Sequence, residues 1–268
     1  LDDAIRDIDK VIALSNKKLD AADAPPLEKL YQAYDAGSGY VPDQLHDSSL
    51  TEDKAAIVYK QYEKTRFSYG SPGLKYMRSE LMANAAHCPY CGFGEPSHLD
   101  HAMPKKTYKA LSVCRLNLVP SCSVCNEKKG DKHKFVHPYY QTYPVGVRFF
   151  IASITVVDNI FVASFAIDDS AIDGQLADLL RAQIKIAELE DRLRREVNRF
   201  IREIPLSALI SDEVLNKYLE VILADTKSDF GLNHWKTAVL FALCEFPGLT
   251  VEHIRNHKSA TADAAQIV

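Results

Sequence analysis

Two Cys-x-x-Cys pairs constrain this chain more than any other feature: Cys88 and Cys91 in CPYCG, and Cys122 and Cys125 in CSVCN. Two residues between thiolates let both sulfurs reach one ion from a tight turn, and two such turns complete a tetrahedral site. Six cysteines could also pair as disulfides, but the x-x spacing in a chain of 268 residues favours a metal. Cys114 and Cys244 are left over in apolar surroundings and are expected to be buried, inert thiols. In a zinc ribbon the second pair follows within about 20 residues. Here 30 residues lie between Cys91 and Cys122, so the interval must hold something specific.

Bulk properties set the frame. With 47% hydrophobic and 25% charged residues the composition is that of an ordinary soluble chain able to bury a core. No apolar run approaches the roughly 20 residues needed to span a bilayer, so no membrane partner is expected. The acidic, amphipathic LDDAIRDIDKVIALSNKK is unlike a secretory signal, and a cytoplasmic location is the default. The chain begins without Met, which leaves room for a trimmed leader. A net charge of −4 argues against indiscriminate coating of nucleic acid. Yet residues 105–134 hold eight Lys or Arg against two acids, a local +6. Positive charge concentrated there suits a phosphate backbone.

The segment 1–86 reads as a helical N-terminal region. Leu1, Ile5, Ile8 and Ile12 recur at helical spacing, and Pro25-Pro26 is expected to break the chain before a short helix from Leu27 to Tyr34. GSGYVPDQLHDSS reads as loop, Thr51 as the cap of a helix through Tyr62, and Ser71-Pro72 as the start of another ending near Ala86. Its many tyrosines read mainly as amphipathic packing. Residues 87–140 form the cysteine module, with too little hydrophobic pattern to fold without metal. Residues 141–258 read as a β-hairpin turning at Asp158-Asn159, then helices. One long helix is expected from about 175 until Pro205 stops it, with Arg192, Arg194, Arg195, Arg199 and Arg202 on its outer face. Helices at about 211–225 and 232–246 follow, and residues 259–268 read as a frayed tail. The expected class is α+β, mainly helical.

The insert HLDHAMPKKTYKALSVCRLNLVP, followed by CNEKKGD, resembles the HNH, or ββα-metal, endonuclease family: Asp-His-x-x-Pro, then Asn-Leu-Val-Pro, then Cys-x-x-Cys-Asn-x-x-Lys-Gly. The likeness covers residues 87–137. It implies a zinc-braced ββα-metal module and a divalent catalytic cation, Mg²⁺ or Mn²⁺, held by Asp100 and Asn126, whose oxygens are hard donors. It implies His101 as general base, Asn117 as the residue whose side-chain oxygen orients that imidazole, and Cys88, Cys91, Cys122 and Cys125 as ligands of a structural Zn²⁺. Lys128 and Lys129 would hold phosphates, and His98, two residues from Asp100 and so on the same face of a strand, would assist the metal or contact phosphate. The chain departs from the commonest pattern at Lys105-Lys106-Thr107-Tyr108, where Gly-Gly is usual, and at Asn126, where His is.

The implied activity is metal-dependent hydrolysis of DNA phosphodiesters, leaving a 5′ phosphate and a 3′ hydroxyl. The outline is similar to nuclease subunits of bacterial antiphage defence, including Septu-type systems that pair with an ATPase. Two rivals stand beside it: a non-catalytic zinc module binding nucleic acid or protein, and an RNase or tRNA-cleaving toxin.

Overall fold

The computed structural model describes residues 1–42, 45, 50–62 and 73–262, and they fall into two compact units, Leu1–Thr142 and Tyr143–Val268. The N-terminal helices and the cysteine module, expected as separate regions, share one unit and one core.

In the first unit, helices α1 (Asp2–Ala13), α2 (Ala24–Ala36), α3 (Glu52–Gln61) and α4 (Lys75–Ala83) precede a short hairpin. Its strands are β1 (His98–His101) and β2 (Leu118–Ser121), and helix α5 (Ser123–Lys129) follows directly. The strands pair antiparallel, Asp100 opposite Val119 and His101 opposite Leu118. Pro25 and Pro26 do not break the chain before α2. They sit in its first turn, where a missing N–H costs nothing and the fixed φ suits a helix. Thr51 caps α3 through Oγ1, which accepts from Lys54 N at 3.4 Å. Gln61 ends that helix. The expected helix start at Ser71-Pro72 and much of the expected loop near residues 43–49 lie outside the described residues.

The helices form a wall for the module. Leu27, Leu30, Tyr31 and Tyr34 of α2, Val58 of α3 and Met77 of α4 are buried in one cluster with Leu99, Met103, Leu111 and Leu118. Full burial of a side chain of this size contributes about 1.5–3 kcal/mol. The short hairpin is therefore anchored by apolar surface that its own residues could not supply.

The second unit is built on a longer hairpin, β3 (Phe150–Val157) and β4 (Ile160–Ile167). Asp158 (φ 50) and Asn159 (φ 64) form its two-residue turn, the left-handed pair that a type I′ hairpin requires. Helices α6 (Gly174–Ile186), α7 (Leu189–Glu203), α8 (Asp212–Phe230), α9 (Trp235–Cys244) and α10 (Val251–Ala262) follow. Phe161, Val197, Ile201, Leu215, Leu240, Leu243 and Ile254 fill the core between them.

Four expectations are corrected here. The long helix is two, because Glu188 adopts a left-handed conformation (φ 48) and turns the chain between α6 and α7. Arg192 is buried, with a guanidinium N–H on Ala187 O at 3.2 Å, rather than on an outer arginine face. The tail is helical through Ala262, and Cys244 is exposed. No helix among the described residues is long and apolar enough to cross a membrane.

Candidate active site and metal centre

The four cysteines converge. Their sulfurs lie within 4.8 Å of one another and all four residues are buried. Zinc–thiolate bonds of about 2.3 Å in a tetrahedron set sulfurs about 3.8 Å apart. The Cys91–Cys122 separation is 4.0 Å, so the set fits such an ion with little adjustment. Backbone donors already face the sulfurs: Gly94 N to Cys91 Sγ at 3.3 Å, and Cys125 N to Cys122 Sγ at 3.4 Å. Gly94 is required sterically, since a Cβ there would lie 2.8 Å from Cys122 Cβ and 2.9 Å from its sulfur. Hydrogen bonding by Cys125, then Cys88 and Cys91, holds the Cys122 thiol well below the ordinary thiol range, while the same contacts push Cys125 up.

β1 carries the candidate chemistry. Asp100 and His101 are buried, at 4% and 6% exposure, whereas His98 at the start of the strand is open, its Nδ1 3.0 Å from Ser97 Oγ. His101 Nε2 lies 2.9 Å from the backbone oxygen of Ser112. A carbonyl only accepts, so Nε2 carries the proton in this contact and Nδ1 keeps the lone pair. The Tyr62 ring packs edge-on against the imidazole at 4.4 Å between centroids, and Lys105 Nζ stands 4.3 Å over that ring. Burial pushes the His101 pKa down to about 3, with the charges of Lys105 and Lys129 adding to it and the Ser112 carbonyl opposing. The imidazole is neutral at physiological pH.

Asp100 Oδ2 accepts from Tyr90 Oη at 2.9 Å and pairs with Lys129 Nζ at 3.0 Å. Burial raises its pKa, and the Lys129 charge opposes that rise. Lys129 is itself 1% exposed, and its Nζ also donates to His101 O at 2.6 Å. The expectation that Lys129 grips phosphate is therefore corrected: its ammonium points inward, onto Asp100 and the carbonyl of His101. Asn126, half-buried, precedes it by three residues on α5, so the two share a helix face that meets β1. Lys128, on the next position round the helix, is partly exposed.

Asn117 is wholly buried but does not reach the imidazole. Its Oδ1 accepts from Met103 N at 2.7 Å and Tyr34 Oη at 3.0 Å. Its Nδ2 donates to Met103 O and Leu111 O, both at 3.2 Å. The side chain staples both ends of the loop between β1 and β2, the loop that carries Ser112. The expectation of direct contact is corrected because the backbone carbonyl occupies that place.

The tyrosines do more than pack. Tyr34 links Asn117 to His137 Nε2 at 2.9 Å, Tyr62 donates to Leu99 O at 2.7 Å, and Tyr139 donates to Leu118 O at 2.7 Å. The sequence signal for these roles was slight: only Tyr90, lying inside the first Cys-x-x-Cys, is marked by position. The basic stretch is likewise partly consumed. Arg115 pairs with Asp7 at 2.7 Å and Glu80 at 3.0 Å, Lys106 with Asp131 at 3.2 Å, and Lys109 with Glu52. Lys132, His133 and Lys134 remain exposed beyond α5.

Residues 88–132 match the family model described as HNH endonuclease. The chain is 33% identical over 114 residues to protein ea31 of Escherichia phage lambda, covering 40% of this chain and 38% of that protein. It is 29% identical over 110 residues to the Septu protein PtuB of Bacillus thuringiensis, covering 38% of this chain and 43% of that protein. The match thus spans about two fifths of each relative. No solved structure matches. The segment 88–132 is accordingly identified as an HNH endonuclease module, braced by four cysteines that could hold zinc.

Proposed function

We propose that the chain is a metal-dependent endonuclease that hydrolyses DNA phosphodiester bonds. The observation that carries the reading is the placement of the His101 imidazole: fixed by the Ser112 carbonyl so that Nδ1 bears the lone pair, and next in sequence to a buried carboxylate. That lone pair is the group that would take a proton from the attacking water. Asp100 and Asn126 would hold Mg²⁺ or Mn²⁺; Asp100 would offer Oδ1, since Oδ2 already serves Tyr90 and Lys129. When bound, the cation supplies Lewis-acid and leaving-group assistance to the scissile phosphate. Lys128 would meet the neighbouring phosphates, with His98 at the strand's open end. Cleavage of the bond to the 3′ oxygen leaves a 3′ hydroxyl and a 5′ phosphate. Zn²⁺ on Cys88, Cys91, Cys122 and Cys125 would be structural, with no position left for substrate.

The likeness to a Septu protein supports a place in antiphage defence, acting with a partner such as an ATPase. Purified protein incubated with plasmid and with total RNA, with Mg²⁺, Mn²⁺ or chelator, tests the activity. Divalent-dependent plasmid cleavage is expected. Cleavage confined to RNA would favour a ribonuclease, and none on either substrate a non-catalytic zinc module.

A further inference from the structure

Lys129 has a task that its position in a lysine run conceals. Among the described residues it is a lysine only 1% exposed, its Nζ 3.0 Å from Asp100 Oδ2 and 2.6 Å from the carbonyl of His101. The Phe135 ring lies 5.9 Å from the same ammonium and closes one side of its pocket. A buried ammonium is costly unless paired and hydrogen-bonded. Both of its partners are the two consecutive residues on which the proposed chemistry depends. The helix also ends immediately after it, at Gly130 (φ 52), so the side chain is held by the last turn of α5.

We infer that Lys129 is a positioning residue: an internal counter-charge that fixes the Asp100 carboxylate and the backbone of His101 and never touches nucleic acid. This rests on the nuclease reading above. The ammonium takes Oδ2 and leaves Oδ1 for a divalent cation. It also sets a positive charge beside that cation, so it holds the site in shape while weakening cation affinity. Tyr90 donates to the same oxygen without charge, at 2.9 Å, and supplies the control.

The two effects separate in one experiment. Wild type, Lys129→Met, Lys129→Gln and Tyr90→Phe are titrated with Mn²⁺ by calorimetry, with zinc content confirmed, and assayed for plasmid cleavage. Removing the charge is expected to tighten Mn²⁺ binding by about ten-fold or more, because like charges a few ångströms apart repel strongly in a buried site. Loss of the clamp is expected to lower kcat by about 10–100-fold, the usual effect of losing a group that orients a metal ligand. KM for DNA stays within about two-fold, as no phosphate contact is lost. Tyr90→Phe should lower kcat less and leave Mn²⁺ affinity without that gain. If Lys129→Met fails to retain zinc, Lys129→Gln is read by the same criteria. Unchanged or weaker Mn²⁺ binding, or a raised KM with kcat intact, overturns the assignment. Should wild type cleave nothing, the nuclease reading fails, and the Mn²⁺ titrations still decide the counter-charge.

Discussion

The Tyr34 hydroxyl reaches Asn117 Oδ1 at 3.0 Å across 83 positions of sequence, joining the second helix of the chain to the loop that orients the candidate base. His137 Nε2 meets the same hydroxyl from the other side at 2.9 Å. A helix that looked like a separate N-terminal region is thereby part of the site's frame.

Tyr34→Phe removes that link while keeping the ring. A buried acceptor losing one of its donors costs about 1–3 kcal/mol. Chemical denaturation should show a loss of that size, with slower cleavage and zinc retained. Wild-type stability in Tyr34→Phe would mean the contact carries no weight.

Asn117→Asp separates a stapling role from direct contact with the base. Aspartate keeps an oxygen at Oδ1 but turns the donor to Met103 O and Leu111 O into an acceptor. Two carbonyls then face a carboxylate in a buried site, a cost of about 3 kcal/mol or more. Loss of folding cooperativity and of activity together is expected. Full activity in Asn117→Asp would restore the role of its oxygen as the orienting group.

Acid should weaken the first unit partly through His137. Burial pushes its pKa down to about 4 from an ordinary 6.5, with the Lys129 charge adding to the shift. The unfolded chain therefore binds the extra proton first. The associated stability is fully present above pH about 6.5 and is lost as pH falls through about 4, an effect of roughly 3 kcal/mol at most. Denaturation of wild type and His137→Gln across that window should give a shallower pH slope for the variant. Equal slopes would exclude His137 as a contributor.

Chelation should act on the fold before it acts on chemistry. Cys88→Ser removes one of four converging sulfurs, and thiolate-bound zinc supplies folding free energy directly. Zinc loss and aggregation are expected, measured by metal analysis and size-exclusion chromatography. A soluble Cys88→Ser protein with full zinc content would contradict this.

The cysteine module was legible because its spacing is local. Two residues between sulfurs, and Asp100 beside His101 on one strand, fix geometry within a few bonds. The turn at Asp158-Asn159 and the Thr51 cap were readable for the same reason. What the chain hid were decisions made across long separations. The direction of Lys129 depends on Asp100 packing against α5, and the bonds of Asn117 depend on Tyr34. Arg115 reads as part of a phosphate-binding stretch until Asp7 and Glu80 claim it. The break at Glu188 was invisible because the leucine and isoleucine spacing continues across it while a single left-handed residue redirects the backbone.

The central claim is that His101 acts as a neutral base. Single-turnover cleavage of a plasmid by wild type and His101→Ala, at matched zinc content and with saturating Mg²⁺ or Mn²⁺, tests it most directly. Removal of a general base is expected to slow the bond-breaking step by about 10²–10⁴-fold with DNA binding retained. Equal rates for the two proteins would contradict it.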